Sequence, residues 1–160
     1  MKKSYPLKPL YDKNSEILIL GSYPGEMSIS NGFYYADNRN QFWNLLSDIF
    51  NETVPNNTIE REKFLKKHHI ALWDVCEIVD RDKSNDKSLK PIKINKIETI
   101  LKPRSKIKTI LCNGKTAYKL FRKYNEELDC KLLISSSGGA NAYIQERKEQ
   151  WKDALLGKKK

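Results

Sequence analysis

A chain of 160 residues can bury the core of one domain without disulfides, so we expect a single domain over residues 1–160 with mobile basic ends at 1–8 and 157–160. Its 30 Lys and Arg against 20 Asp and Glu give a formal net charge of +10, which favours a polyanionic partner such as nucleic acid, although a lysine-rich solvated surface gives the same balance. Three separated cysteines argue against a disulfide framework or a zinc site, and the lack of an apolar run of ~20 residues or of a signal-like start argues for an intracellular protein.

Four short apolar runs, at 16–21, 70–75, 107–114 and 130–139, predict buried strands. Apolar residues at helical spacing predict five helices between and after them. These helices are marked by Phe42, Leu45, Leu46 and Ile49; by 59–67; by Ile94, Ile97, Ile100 and Leu101; by Ala117, Leu120, Phe121 and Tyr124; and by 143–156. The alternation predicts an α/β fold with three layers, α/β/α, around a central four-stranded, mainly parallel sheet.

Two polar loops follow predicted strands, GSYPGEMS at 21–28 and SSSGGANA at 135–142. In parallel sheets, ligands bind beyond the carboxyl ends of the strands, where these loops lie. The first loop lacks the P-loop and dinucleotide-binding patterns, and the hydroxyls and free amides of the second suit a phosphate. An ordinary turn remains an equal interpretation of each loop.

The stretch GFYYADNRNQFW, at 32–43, combines aromatic rings with amides. Asp37 or Asn38 suits a helix N-cap, and Phe42 and Trp43 suit the core. Three consecutive rings at 33–35 cannot all enter a core from a loop, so we expect at least one ring to be available for stacking. The adjacent histidines at 68–69 support neither a metal pair nor a nucleophile with its base.

The order of these motifs resembles the uracil-DNA glycosylase superfamily, nearest its hypoxanthine-DNA glycosylase branch and with similarity to the mismatch-specific uracil/thymine branch. The resemblance is carried by LGSYPGEMS, GFYYADNRNQFW, ALWDV, SNDKSL, ILCNGKTA and LISSSGGANA and covers residues 16–151. It implies a uracil-DNA glycosylase-like fold and a monofunctional enzyme of base excision repair, without metal or organic cofactor, which flips out a deaminated base and hydrolyses its N-glycosidic bond. The implied partner is DNA containing hypoxanthine first, then xanthine or uracil. We expect a cytoplasmic monomer that associates with the nucleoid when bound to DNA, and no membrane partner.

The resemblance also implies site residues. Asn40 matches the catalytic asparagine of the hypoxanthine branch, whose amide oxygen would orient the attacking water, and Tyr35 matches the ring that stacks on the flipped base. The implied base-binding residues are Ser22, Tyr23, Tyr35 and Asn113. The implied DNA-binding residues are Pro24, Gly25, Ser28, Arg39, Ser135, Ser136, Ser137, Gly138 and Asn141. Because glycines replace the usual prolines of this last loop, we expect Asn141 or another loop to enter the gap left by the base.

Two other functions are compatible with the sequence. A catalytically weak or inactive glycosylase-like protein would bind nucleic acid with strong salt dependence and release no base. A hydrolase or sensor of free nucleotides would bind free inosine or its monophosphate tightly, without preference for DNA.

Overall fold

The computed structural model describes residues 2–3, 7–80, 90–138 and 144–157. Its strands are β1 (Lys2–Lys3), β2 (Ile17–Gly21), β3 (Ile70–Asp74), β4 (Cys76–Asp80), β5 (Lys90–Ile94), β6 (Thr109–Asn113) and β7 (Lys131–Leu133). Its helices are α1 (Glu26–Asn31), α2 (Phe42–Phe50), α3 (Thr58–Lys67), α4 (Lys115–Tyr124) and α5 (Ile144–Leu156), and a 3-10 helix covers Ile97–Ile100.

The central sheet has the strand order β3-β2-β6-β7, and all three strand pairs are parallel. Ile17 of β2 pairs with Ile70 of β3 on one side and with Thr109 of β6 on the other. Parallel neighbours need long crossover connections, which the helices and a small second sheet supply. The carboxyl ends of β2, β3 and β6 consequently meet at one edge of the sheet.

Apolar side chains cover both faces of this sheet, because successive residues of a strand point to opposite sides. Ile19 joins a buried cluster formed with α2, α3 and α5, whereas Leu18 and Leu20 join another formed with α4, the 3-10 helix and β4. The first cluster includes Phe42, Leu46, Leu65 and Trp151, and the second includes Val79, Ile97, Ala117 and Phe121. The predicted three-layer α/β/α architecture with a four-stranded parallel sheet is confirmed.

One predicted helix is not an α-helix, and the last strand of the sheet is much shorter than predicted. Ile94 ends β5, and Ile97 and Ile100 lie on the 3-10 helix rather than on an α-helix. Residues three apart share one face of a 3-10 helix as well as of an α-helix, so the sequence spacing does not separate the two. The last strand of the sheet ends at Leu133 instead of extending to 139.

A second sheet, not predicted from the sequence, has the order β1-β4-β5 with antiparallel pairing. It flanks the polar stretch at 80–91, whose residues 81–89 are outside the described part of the chain. Pro91 lies in β5, which is an edge strand, the place in a sheet where proline is tolerated. The short helix α1, within the predicted loop after β2, was also missed.

The amino-terminal segment contacts the rest of the protein at several points. Lys2 and Lys3 pair with β4, and the Lys8 carbonyl accepts a hydrogen bond of 2.6 Å from the Tyr34 hydroxyl. Leu10 and Leu72 exchange two backbone hydrogen bonds of 2.9 Å. Lys2, Lys3 and Lys8, which lie in the end predicted to be mobile, therefore have hydrogen-bond or strand partners. Among the described helices, none is both long and apolar enough to cross a membrane.

Candidate active site

A cavity of about 650 Å³ opens where the strands of the central sheet end. Gly21, Asp74 and Asn113 are the last residues of β2, β3 and β6, and all three line it. The loop at 135–138, after β7, and the segment at 34–41, before α2, complete the walls. The volume falls within the range of small-ligand pockets, and the location is the one expected for a parallel sheet.

Every predicted site residue that the structure describes lines this cavity. They are Ser22, Tyr23, Pro24, Gly25, Ser28, Tyr35, Arg39, Asn40, Asn113, Ser135, Ser136, Ser137 and Gly138. Asn141 lies outside the described residues. The cavity also has lining residues that we did not predict, namely Gly21, Tyr34, Asp37, Gln41 and Asp74.

Of the three consecutive rings, Phe33 and Tyr34 are buried, whereas Tyr35 is partly exposed in the cavity wall, which Tyr34 also lines. Phe33 stacks on Trp43 at 5.9 Å, and Tyr34 is 4% exposed. Tyr35 has φ 53°, a left-handed backbone conformation, and its ring stacks on Phe42 with centroids 4.0 Å apart. This arrangement fixes the Tyr35 ring at the pocket, where a planar ligand can meet it.

The Tyr34 hydroxyl links the cavity wall to the amino-terminal segment. Burial raises the pKa of Tyr34 above its ordinary value, and the nearby Asp74 and Tyr35 raise it further. The hydroxyl therefore stays protonated near neutral pH and donates to the Lys8 carbonyl.

Asn40, Ser136 and Asn113 form a hydrogen-bonded chain across the pocket floor. Asn40 Oδ1 accepts from the Phe42 backbone N–H at 2.9 Å and from the Ser136 hydroxyl at 2.7 Å. Asn113 Oδ1 accepts from the Ser136 N–H, and Asn113 Nδ2 donates to Ser136 Oγ, both at 2.9 Å. The chain joins the end of β6, the loop after β7 and the start of α2.

Two of the predicted DNA-binding serines form hydrogen bonds within the protein. Ser136 is fully buried, and its carbonyl also accepts from the Gln41 N–H at 2.8 Å. Ser28 is 5% exposed, and its hydroxyl accepts from the Ala36 N–H at 3.2 Å. Both hydroxyls thus take part in hydrogen bonds that link the loops at 34–41 and 135–138 to the rest of the protein, and direct contact of these serines with phosphate stays a prediction.

Arg39 and Asp37 form an exposed ion pair on the rim. The guanidinium contacts the carboxylate through Nε at 3.1 Å and through Nη2 at 2.7 Å. The hydrogen bonds from the Arg39 side chain and backbone N–H lower the pKa of Asp37 to about 2. A negative charge thus accompanies the predicted DNA-binding arginine.

The loop after β2 is tied to the start of β4. The carbonyls of Gly21 and Ser22 accept from the backbone N–H groups of Val75 and Cys76 at 2.8 and 2.9 Å. The Tyr23 side chain is 5% exposed and packs within the apolar cluster around Leu20. The predicted contact of Tyr23 with a base would therefore be made by backbone groups of this loop.

Asp74 is the carboxylate in the pocket that the sequence analysis missed. It is 5% exposed, and Asn95 Nδ2 donates to its backbone carbonyl at 2.9 Å. A Cβ added at Gly21 would lie 2.6 Å from Asp74 Oδ1 and 3.4 Å from Tyr35 Oη, so glycine lets both groups approach the end of β2. The sequence feature that could have predicted it is an acidic residue at the end of a buried apolar strand, because ligands bind at that edge of a parallel sheet.

Within the described part of the chain, no three His, Cys, Asp or Glu side chains come together as a metal site. The polar groups of the cavity are amides, hydroxyls and carboxylates, together with the Arg39 guanidinium. This set suits recognition of a planar, hydrogen-bonding ligand held against Tyr35.

Comparison with known proteins identifies the family. The Uracil DNA glycosylase superfamily model matches residues 8–156. The chain belongs to this superfamily. It is therefore a DNA glycosylase, an enzyme that hydrolyses N-glycosyl bonds.

Relatives of this superfamily member align along nearly its whole length. It is similar to "Hypoxanthine DNA glycosylase" of Methanosarcina barkeri, with 36% identity over 96% of this chain and 98% of the relative. The protein of the same name from Methanosarcina acetivorans shows 33% identity over 94% and 96%. A solution NMR structure of a "putative Uracil DNA glycosylase" from Methanosarcina acetivorans superposes with a TM-score of 0.79 at 32% identity, covering 97% of both chains.

Proposed function

We propose that this DNA glycosylase removes hypoxanthine from DNA in base excision repair, with xanthine and uracil as secondary substrates. Both similar Methanosarcina proteins carry the name "Hypoxanthine DNA glycosylase". The proposed partner is DNA containing a deaminated base, and the proposed enzyme acts as a monomer on the DNA of the nucleoid.

The observation that supports a deaminated base over its parent base is the Asp74 carboxylate in the pocket wall. An ionised carboxylate accepts hydrogen bonds and donates none. Deamination of adenine changes N1 from an acceptor into an N–H donor, and deamination of cytosine does the same at N3. A carboxylate that faces this edge favours hypoxanthine and uracil over their parent bases, because an acceptor opposite an acceptor is left unpaired.

The rest of the pocket suits a flipped base. The Tyr35 ring, backed by Phe42, offers a flat surface for stacking. Predicted DNA contacts on the rim are Pro24, Gly25, Arg39, Ser135, Ser137 and Gly138. The net charge of +10 favours the phosphates around an extruded nucleotide.

A single-turnover assay with excess protein tests this proposal. End-labelled duplex and single-stranded oligonucleotides would each contain one hypoxanthine, xanthine, uracil or mismatched thymine, with adenine and guanine as undamaged controls. We expect alkali-labile abasic sites to form fastest from hypoxanthine, and Asn40→Ala to lower the rate about 100- to 1,000-fold while DNA affinity stays within threefold of wild type.

The same assay separates the alternatives. No abasic product from any base, at concentrations where DNA binding saturates, would favour the nucleic-acid-binding protein. Faster cleavage of uracil than of hypoxanthine would replace the proposed substrate while keeping the enzyme class.

A further inference from the structure

We infer that Asn40 acts through its amide nitrogen, as a hydrogen-bond donor to the departing base, and that Ser136 is the positioning residue that fixes this orientation. The inference rests on the proposed function, and it replaces the expectation that the Asn40 oxygen orients the attacking water. The hydrogen-bonded chain of Asn40, Ser136 and Asn113 carries the argument.

The orientation of the Asn40 amide follows from a backbone donor. The Phe42 N–H can only donate, so the Asn40 atom 2.9 Å from it is the carbonyl oxygen. The same oxygen lies 2.7 Å from Ser136 Oγ. A flipped amide would place an N–H group against the Phe42 N–H, with two donors facing each other.

The direction of the Ser136 hydroxyl follows from a second backbone donor. The Ser136 N–H lies 2.9 Å from Asn113 Oδ1, which fixes the Asn113 amide, and Asn113 Nδ2 must then donate to Ser136 Oγ. The hydroxyl proton is left to point at Asn40 Oδ1. Because Ser136 is fully buried, water does not compete for these bonds.

Both lone pairs of Asn40 Oδ1 are used by these two donors. The remaining polar group of the side chain is Nδ2, for which the described residues supply no hydrogen-bond acceptor. Asn40 lines the cavity, so this nitrogen is the part of the side chain available to a ligand. The protein presents a donor at this point, where we predicted an acceptor for water.

A hydrogen-bond donor near the base assists cleavage of the N-glycosidic bond. As the C1′–N9 bond of the nucleotide cleaves, its electron pair goes to the purine, and negative charge spreads over the ring nitrogens and O6. A fixed N–H aimed at these atoms stabilises the charge as it develops. Water adds its oxygen to C1′, and its two protons end on the new sugar hydroxyl and on the released base. Donation to the water instead would weaken it as a nucleophile.

Asn40→Asp is the decisive variant because it exchanges the donor for an acceptor at the same size. Aspartate should still accept from the Phe42 N–H, because Asp and Asn side chains both bond the backbone N–H two residues on. We expect the single-turnover rate on hypoxanthine DNA to fall about 100- to 1,000-fold, to the level of Asn40→Ala. An acceptor that activates water would instead retain or increase the rate, and that rate would rise with pH as the introduced carboxyl ionises.

Asn57→Asp is the matched control. Asn57 is the N-cap of α3, its Oδ1 accepts from the Glu60 N–H at 3.1 Å, and it is absent from the cavity wall. The same chemical change and added charge there should leave the rate within twofold. DNA affinity, measured by fluorescence anisotropy, corrects for repulsion between the new charge and DNA.

Ser136→Ala tests the positioning role without adding charge. We expect the rate constant at saturating protein to fall about 10-fold, with DNA affinity unchanged and the folded state confirmed by circular dichroism. Ser136→Thr, which restores the hydroxyl, should recover part of the loss. A Ser136→Ala rate equal to wild type would overturn the role of Ser136, and an Asn40→Asp rate within 10-fold of wild type would overturn the donor role. If wild-type protein cleaves no base, the proposed function fails first and the inference fails with it.

Discussion

At the scale of single residues, Asp74 and Gly21 act as a pair. The carboxylate reaches the pocket because Gly21 has no Cβ, and an added Cβ would lie 2.6 Å from Asp74 Oδ1. Alanine at position 21 would have to push the carboxylate aside. The proposed recognition of the base edge by Asp74 thus also depends on Gly21, at the end of the neighbouring strand β2.

Replacing Asp74 with asparagine should reduce discrimination between hypoxanthine and adenine. The amide keeps the shape of the carboxylate and can turn its N–H toward N1 of adenine, which the carboxylate repels. We expect the ratio of single-turnover rates, hypoxanthine over adenine, to fall at least about 10-fold, and the uracil-to-cytosine ratio to change in the same direction. Unchanged ratios would remove Asp74 from base recognition.

The ion pair with Asp37 should weaken the predicted contact of Arg39 with DNA. Asp37→Asn removes one negative charge from the rim and weakens a two-point ion pair, so we expect duplex affinity to rise by about three- to tenfold at low salt. The pKa of Asp37 is lowered to about 2, so the pair is present above that pH and is lost only as pH falls through about 2. The gain should therefore be constant from pH 5 to 8 in anisotropy titrations. A loss of affinity would mean that Asp37 orients Arg39 productively.

At the scale of elements, α5 holds the pocket loop after β7. Gln150 Oε1 accepts from the Ile134 N–H at 2.6 Å, and Trp151 Nε1 donates to the Ile134 carbonyl at 2.9 Å. Arg147 Nη1 donates to the Ser135 carbonyl at 3.1 Å. These contacts place Ser136 where it meets Asn40, so a helix far along the sequence helps to set the geometry of Asn40.

Gln150→Ala should lower the cleavage rate, whereas a variant that loses the same unfolding free energy far from the pocket should not. Loss of the Ile134 partner costs about 1 kcal/mol of unfolding free energy and loosens the loop that carries Ser136. Asn57→Ala, which removes the N-cap of α3, should cost a similar ~1 kcal/mol without changing the rate. Urea unfolding and single-turnover rates on both variants test this. Equal rates in the two variants would show that α5 does not tune the site.

At the scale of the whole molecule, the net charge of +10 should dominate DNA affinity. Each phosphate contacted contributes about −0.9 to the slope of log affinity against log salt on duplex DNA, so several contacts predict a slope of roughly −3 or steeper. Anisotropy titrations between 50 and 300 mM salt measure it. A slope near zero would locate the basic residues away from the DNA-binding face.

The sequence by itself determined the sheet, its parallel arrangement and most of the pocket. Apolar runs and helical spacing follow local periodicity, and the loops after 16–21 and 130–139 lie at the same edge of the sheet because parallel strands end there. The order of the motifs along the chain is enough to identify the family. The 3-10 helix, α1 and the β1-β4-β5 sheet were missed because short apolar patterns fit more than one conformation.

Only the tertiary structure decided how the site residues are used. Asn40 and Ser136 lie 96 positions apart, and no local pattern states that one accepts a hydrogen bond from the other. The same holds for the close approach of Asp74 to Gly21, for Ser136 as a buried link between Asn40 and Asn113, and for the orientation of the Asn40 amide. Hydrogen bonds depend on distances of a few ångströms between atoms that only the folded chain brings together. The periodicity of apolar residues, in contrast, can be read directly from the order of residues in the sequence.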